Sequence, residues 1–153
     1  MEKENFNIVL VHPQIPNNTG NIGRLCVGSQ SKLHLVKPLG FEITDTRVKR
    51  AGLDYWGDLD LSYYDNFEAL LQSVPDLSRM FFFTTRTQSA YYDVNFKKGD
   101  WLVFGRESDG LPPEIVEHFS KQCVKIPFPG KVRSFNLSNA VSIALGEGLR
   151  QFR

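Results

Sequence analysis

Three uninterrupted apolar runs constrain this chain most: Ile8-Val9-Leu10-Val11, Met80-Phe81-Phe82-Phe83 and Leu102-Val103-Phe104. A strand with one face in water alternates apolar and polar residues. A strand that is apolar at every position must be covered on both faces, which is the habit of parallel sheets flanked by helices. The rest of the chain supplies the flanking helices. Strand-like segments at 6–11, 33–37, 80–84, 101–105 and 123–126 alternate with helix-like segments near 19–30, 45–52, 66–73, 113–119 and 137–151. The reading is α/β, a mainly parallel sheet with helices on both faces, in a single domain over residues 1–153. There is no internal repeat, low-complexity stretch or interdomain linker, and 153 residues suffice to bury a core.

Two helices can be oriented from their patterns. In the first, Asn18 or Thr19 is the natural N-cap. Ile22, Leu25 and Cys26 follow the i, i+3, i+4 rule and mark its core face, so Arg24, about 200° around from Ile22, points away from the core. In the last, Leu137, Ala140, Val141, Ala144, Leu145 and Leu149 form one stripe. Gly146 and Gly148 interrupt that helix at about 1 kcal/mol each relative to alanine. Close backbone approach to another helix and a frayed end both account for them.

The loops after three strands share one grammar. Asn17-Asn18-Thr19-Gly20-Asn21-Ile22-Gly23-Arg24 follows the first strand, and Gly105-Arg106-Glu107-Ser108-Asp109-Gly110-Leu111 follows Phe104. Ile126-Pro127-Phe128-Pro129-Gly130-Lys131-Val132-Arg133-Ser134-Phe135-Asn136 leads into the last helix. Junctions rich in Gly, Asn, Ser and Arg at the carboxyl ends of parallel strands build one site. Gly105, lacking a Cβ, lets a ligand touch the backbone, and the 127–134 loop offers main-chain groups and a hydroxyl of the kind that hold an adenine or a ribose. Each loop taken alone is also an ordinary αβ turn. Arg24, Glu107 and Arg133 are the charges placed in these junctions. An arginine forks onto a phosphate or a developing oxyanion, and a solvated or salt-bridged charge is the plainer alternative for each.

Several classes are argued against. No apolar run approaches the ~20 residues of a membrane span, and the charged start, Met1-Glu2-Lys3-Glu4-Asn5, lacks the apolar core of a signal peptide. Cys26 and Cys123 have no metal spacing and lie in apolar contexts, as buried thiols in a reducing cytosol do. His12, His34 and His118 have no partner at metal spacing and read as surface or packing residues, so no metal is expected. A Gly-x-Gly-x-x-Gly after the first strand and a Gly-Lys-Ser/Thr phosphate loop are both missing, which argues against a dinucleotide fold or a P-loop NTPase. The net charge of +1 neither demands nor excludes nucleic acid. The positive residues nevertheless cluster at Arg47, Lys49 and Arg50, at Lys97 and Lys98, at Lys131 and Arg133, and at Arg150 and Arg153, patterns that fit a phosphate path or a solvated face.

Taken in order and spacing, these motifs resemble those of the SPOUT superfamily of knotted RNA methyltransferases. The carriers are Asn18-Thr19-Gly20-Asn21-Ile22-Gly23-Arg24, Phe104-Gly105-Arg106-Glu107-Ser108-Asp109-Gly110-Leu111-Pro112, and Ile126-Pro127 with Arg133-Ser134-Phe135-Asn136-Leu137-Ser138-Asn139-Ala140-Val141. Arg50-Ala51-Gly52-Leu53-Asp54-Tyr55-Trp56 adds likeness to the minimal bacterial members that 2'-O-methylate the wobble nucleotide of tRNA. The similarity runs over essentially the whole chain.

The resemblance implies a trefoil-knotted fold with the C-terminal helix threaded through a loop, an obligate homodimer, and a cytoplasmic enzyme. It implies S-adenosylmethionine as cofactor, S-adenosylhomocysteine as product, and a cytidine or modified uridine of a tRNA anticodon as substrate. Phe83, Gly105, Ile126 and Ser134 fall on the family's cofactor positions, Arg24 on its catalytic arginine, and Asn18, Glu107 and Asn136 on motif positions around the site. Without an added RNA-binding domain, the clusters at Arg47, Lys49 and Arg50 and at Lys131 and Arg133, with Asn18, are expected to hold the RNA. Gly146 departs from the tyrosine that close relatives often carry, so that residue's role does not transfer. Arg106 and Asp109 fill variable positions. Two alternatives stay open: methylation at another tRNA or ribosomal RNA site, and an RNA-binding member that has lost activity.

Overall fold

The structure is a computed structural model; it describes residues 4–44 and 46–153, with the side chains of Lys49, Leu53 and Asp54 outside the described residues. Among the described residues six strands, β1 (Phe6–Val11), β2 (Lys32–Val36), β3 (Leu61–Tyr64), β4 (Met80–Phe83), β5 (Asp100–Phe104) and β6 (Cys123–Val124), form one sheet in the order β3-β2-β1-β5-β4-β6. Every pairing is parallel. The helices are α1 (Pro16–Gly28), α2 (Thr46–Gly52), α3 (Phe67–Gln72), α4 (Pro113–His118) and α5 (Leu137–Gln151).

The apolar runs do what their composition requires. Along each central strand alternate side chains enter different cores. Phe6, Ile8, Leu10, Leu102 and Phe104 face α1 and α5, where they meet Ile22, Cys26, Val141, Ala144 and Leu145. Val9, Val11, Phe82 and Val103 face α3 and α4, where they meet Leu70, Ile115 and Phe119. The result is three layers, with α2 packed outside on α1. Gly148 of α5 rests on strand β1, not on another helix: a Cβ there would enter the Phe6 ring, while one at Gly146 would meet open space. The helix continues past both glycines to Gln151, so it is not frayed there.

Both cysteines are free and buried, and burial pushes the Cys26 thiol far up. His34 is a packing residue. It is 2% exposed, with Nδ1 2.8 Å from the Tyr64 hydroxyl, Nε2 2.9 Å from Asn7 Oδ1, and its ring against Trp101. Burial, with the Lys32 charge second, pulls its pKa down to about 3. His118 is exposed. Among the described residues, no helix is long and apolar enough to cross a membrane, and no group of three or more His, Cys, Asp or Glu could hold a metal ion.

The strand order reverses between β1 and β5. Chain connections leave in opposite directions on either side of such a point, which opens a crevice at the carboxyl ends of the strands. The loops after β1, β4, β5 and β6 all arrive there.

Candidate active site

A cleft of about 430 Å³ occupies that crevice, within the range for small-molecule sites. Phe83 at the end of β4 and Phe104 at the end of β5 stack at 4.6 Å, giving an apolar floor. Ile126, Phe128 and residues 133–136 also line the cleft, and the Phe128 and Phe135 rings pack there at 4.3 Å. Phe83, Gly105, Ile126 and Ser134 all line the cleft, as do Asn18, Glu107, Arg133 and Asn136. Chain segments more than a hundred residues apart are thereby brought to one place.

Glu107 is the hub. Its Oε1 accepts from the Gln14 backbone N–H at 2.7 Å, and its Oε2 from the Ile15 N–H at 2.9 Å and from Asn18 Nδ2 at 3.2 Å. Asn18 Oδ1 accepts from Asn136 Nδ2 at 3.2 Å. Asn136 in turn caps α5: its Oδ1 accepts from the backbone N–H groups of Ser138 at 3.0 Å and Asn139 at 3.3 Å. One hydrogen-bonded path therefore runs from the loop after β5, through the first turn of α1, to the start of α5.

This path corrects the N-cap expected for α1. The helix starts at Pro16, with Ile15 at the cap position and no side-chain cap of its own. Proline at the first turn gives up an N–H that has no helical partner anyway, and the N–H groups just ahead of it bond to Glu107 from a distant loop. Asn18 and Thr19 lie inside the first turn, Asn18 6% exposed and Thr19 fully buried.

Gly105, which lines the cleft, has a further reason within its own loop. Gly110, at φ +73°, turns the chain, and Arg106 and Gly110 exchange backbone hydrogen bonds at 3.0 and 3.3 Å. The loop thus folds back over Gly105, where a Cβ would land on the Gly110 carbonyl carbon and the Leu111 nitrogen. Glycine is required by the loop itself, before any ligand is considered. Arg106 and Asp109 close the same loop with a fork at 2.5 and 2.9 Å, and the Arg106 hydrogen bonds, then that of Ser108, pull the Asp109 carboxyl down to about 2.

Arg24 is elsewhere. It is exposed on the outer side of α1, its Cζ 5.2 Å from the centroid of the Tyr55 ring, and it is not among the residues lining the cleft. Arg47, Arg50 and Lys131 are exposed and also outside the cleft lining; the Lys49 side chain lies outside the described residues. Arg86 went unnoticed in the sequence. It lines the cleft and donates from its guanidinium to the Leu111 carbonyl, strapping the loop after β4 to the loop after β5. Thr84-Thr85-Arg86, directly after an apolar strand, was a fourth polar junction of the same grammar.

Comparison with known proteins agrees with this geometry. The model of the SpoU rRNA Methylase family matches residues 5–146. The tRNA (cytidine(34)-2'-O)-methyltransferase of Burkholderia cenocepacia (strain HI2424) is 46% identical over 148 residues, covering 95% of each chain. A solved structure described as giving structural insights into the 2-OH methylation of C/U34 on tRNA superposes with a TM-score of 0.92 at 44% identity, covering 96% of this chain and 95% of that one. The AdoMet-bound rRNA methyltransferase of Sinorhizobium meliloti, at 21% identity and a TM-score of 0.87, shares the fold over 99% of this chain and 58% of its own.

Proposed function

The chain belongs to the SpoU rRNA methylase family, and from that premise we propose that it transfers a methyl group from S-adenosylmethionine to the ribose 2'-hydroxyl of the wobble nucleotide, cytidine or uridine 34, of tRNA. The observation that carries this is the near full-length identity of 46% to an enzyme named for that reaction. The similar structure concerned with C/U34 supports the same reading.

The cleft suits the cofactor in size and in its mix of an apolar floor with two polar loops. Phe83, Gly105, Ile126 and Ser134 would hold it, and when bound it supplies an electrophilic sulfonium methyl. The ribose O2' would take that methyl and leave S-adenosylhomocysteine, its hydroxyl proton passing to a phosphate oxygen of the substrate or to solvent. Arg24 orients the hydroxyl and stabilises the negative charge that grows on its oxygen. Glu107 is not the proton acceptor in this account. Three of the roughly four acceptor sites of a carboxylate are taken by Gln14, Ile15 and Asn18. Glu107, Asn18 and Asn136 instead fix the two helix starts on which Arg24 and Ser134 depend.

A homodimer is part of this reading, as is the family's trefoil knot. Arg24 lies outside its own chain's cleft, six residues and roughly 9 Å further along α1 than Asn18, which supports a second copy completing the site. The exposed Arg47, Arg50, Lys131 and Arg133 form the tRNA path. A tRNA transcript carrying 2'-deoxycytidine at position 34 tests the assignment. It should bind like the ribose form and accept no methyl; methylation of the deoxy transcript at the wild-type level would overturn it.

A further inference from the structure

We infer that Tyr55 is a positioning residue that orients the Arg24 guanidinium, and that Gly23 sets the close approach which puts it there. The inference rests on the reading of Arg24 given above and adds what holds that side chain before substrate arrives.

An exposed arginine has a long, flexible stem, and a site that stabilises developing charge needs its donors oriented in advance. Other arginines of this chain are oriented by carboxylates: Arg79 forks onto Asp100, Arg106 onto Asp109 and Arg150 onto Glu147. Such forks occupy the N–H groups that would face a substrate. Among the described residues Arg24 has no such fork; its partner is the face of Tyr55, 5.2 Å from Cζ to ring centroid. A ring face attracts the cation through its quadrupole and leaves the N–H donors free. The contact therefore restricts Arg24 without blocking its chemistry.

Tyr55 belongs to the 3-10 turn Leu53–Asp58, which packs on α1. The contact is made at the residue beside Arg24. A Cβ at Gly23 would lie 3.0 Å from Trp56 Cζ3 and 3.1 Å from Leu59 Cδ2, closer than ordinary packing. The missing side chain at position 23 lets Trp56 settle on the helix, and Trp56 carries its neighbour Tyr55 to Arg24. The Arg50–Trp56 segment, which the cleft leaves unexplained, thereby acquires a role. Tyr55 is itself 44% exposed, so its replacement does not open the core.

The test is steady-state methyl transfer to a tRNA transcript by Tyr55→Phe, Tyr55→Leu and Gly23→Ala, with Tyr55→Leu repeated in an Arg24→Ala background. Tyr55→Phe keeps the ring and should stay within about twofold of wild type. Tyr55→Leu should lose about fivefold in kcat, the scale of an exposed cation–ring contact, with KM for tRNA and cofactor unchanged. Gly23→Ala should move kcat in the same direction. In the Arg24→Ala background Tyr55→Leu should have no further effect. Wild-type kcat in Tyr55→Leu, or equal losses in both backgrounds, would overturn the inference. A raised KM for tRNA at constant kcat would do so too, because it would mean the ring touches RNA directly. Normal turnover in Arg24→Ala would remove the reading of Arg24 and this inference with it. A loss in Arg24→Ala beside a normal Tyr55→Leu removes this inference alone.

Discussion

The Glu107 carboxylate accepts the backbone N–H of Gln14 at 2.7 Å, across 93 positions of sequence. The loop after β5 thereby holds the segment that starts α1. Anions are favourable at a helix N-terminus, where N–H groups lack helical partners. Here the anion comes from a second motif, and Asn18 passes the connection to a third.

Glu107→Gln should therefore act on structure first. The amide keeps one acceptor oxygen but turns its N–H groups toward either the Gln14 donor or the Ile15 and Asn18 donors. The expected loss is on the order of 1.5–3 kcal/mol, the range for a hydrogen bond to a charged group, read from urea unfolding. The pH–rate profile of the remaining activity should keep its wild-type shape. Disappearance of an ascending limb in this variant alone would instead identify Glu107 as a general base.

The glycines of α5 and of the β5 loop should separate cleanly. Gly148→Ala places a methyl in the Phe6 ring and should cost about 1–3 kcal/mol, as overpacking does. Gly146→Ala meets nothing and should stabilise by about 1 kcal/mol through helix propensity. Gly105→Ala should reduce stability and cofactor binding together, because it displaces the 110–111 backbone. Thermal melting and calorimetry check all three, and a Gly105→Ala protein with wild-type stability would contradict the fold-back explanation.

Arg24→Ala should lower kcat by at least about 100-fold, the scale of one lost contact in a preorganised site, with cofactor affinity unchanged by calorimetry. Arg24→Lys should recover little, because a point charge does not reproduce a planar fork. Near-normal turnover in Arg24→Ala would place the catalytic group elsewhere.

Acid should destabilise the fold through His34. Its pKa is lowered from 6.5 to about 3 in the folded chain, so between these values the unfolded chain binds the extra proton. Stability from this group is complete above pH 6.5 and falls as pH drops toward 3, by about 1.4 kcal/mol per pH unit within the window. Urea unfolding of wild type and His34→Gln at several pH values reads this out, and the variant should show the shallower dependence.

Much of the scaffold was legible because burial writes itself into composition. Strands covered on both faces are apolar throughout, and the α5 stripe from Leu137 to Leu149 packs as its period required. β3 was missed because Leu61-Ser62-Tyr63-Tyr64 is a half-exposed edge strand, made a strand by pairing with β2. The start of α1 was misplaced because its anion comes from Glu107, and no local pattern records that. The cleft residues were legible through their motifs. The reason for Gly105 was not, since it depends on where a loop five residues later returns. Arg86 stood in a junction of the right grammar, but its strap to Leu111 exists only in three dimensions.

The atom that receives the methyl defines the reaction. The most direct measurement is to incubate the protein with methyl-labelled S-adenosylmethionine and tRNA, digest to nucleosides and oligonucleotides, and map the label by mass spectrometry. One methyl should appear on the ribose of nucleotide 34, as 2'-O-methylcytidine or its uridine counterpart. Label on a base, at another nucleotide, or on ribosomal RNA in preference to tRNA would contradict it.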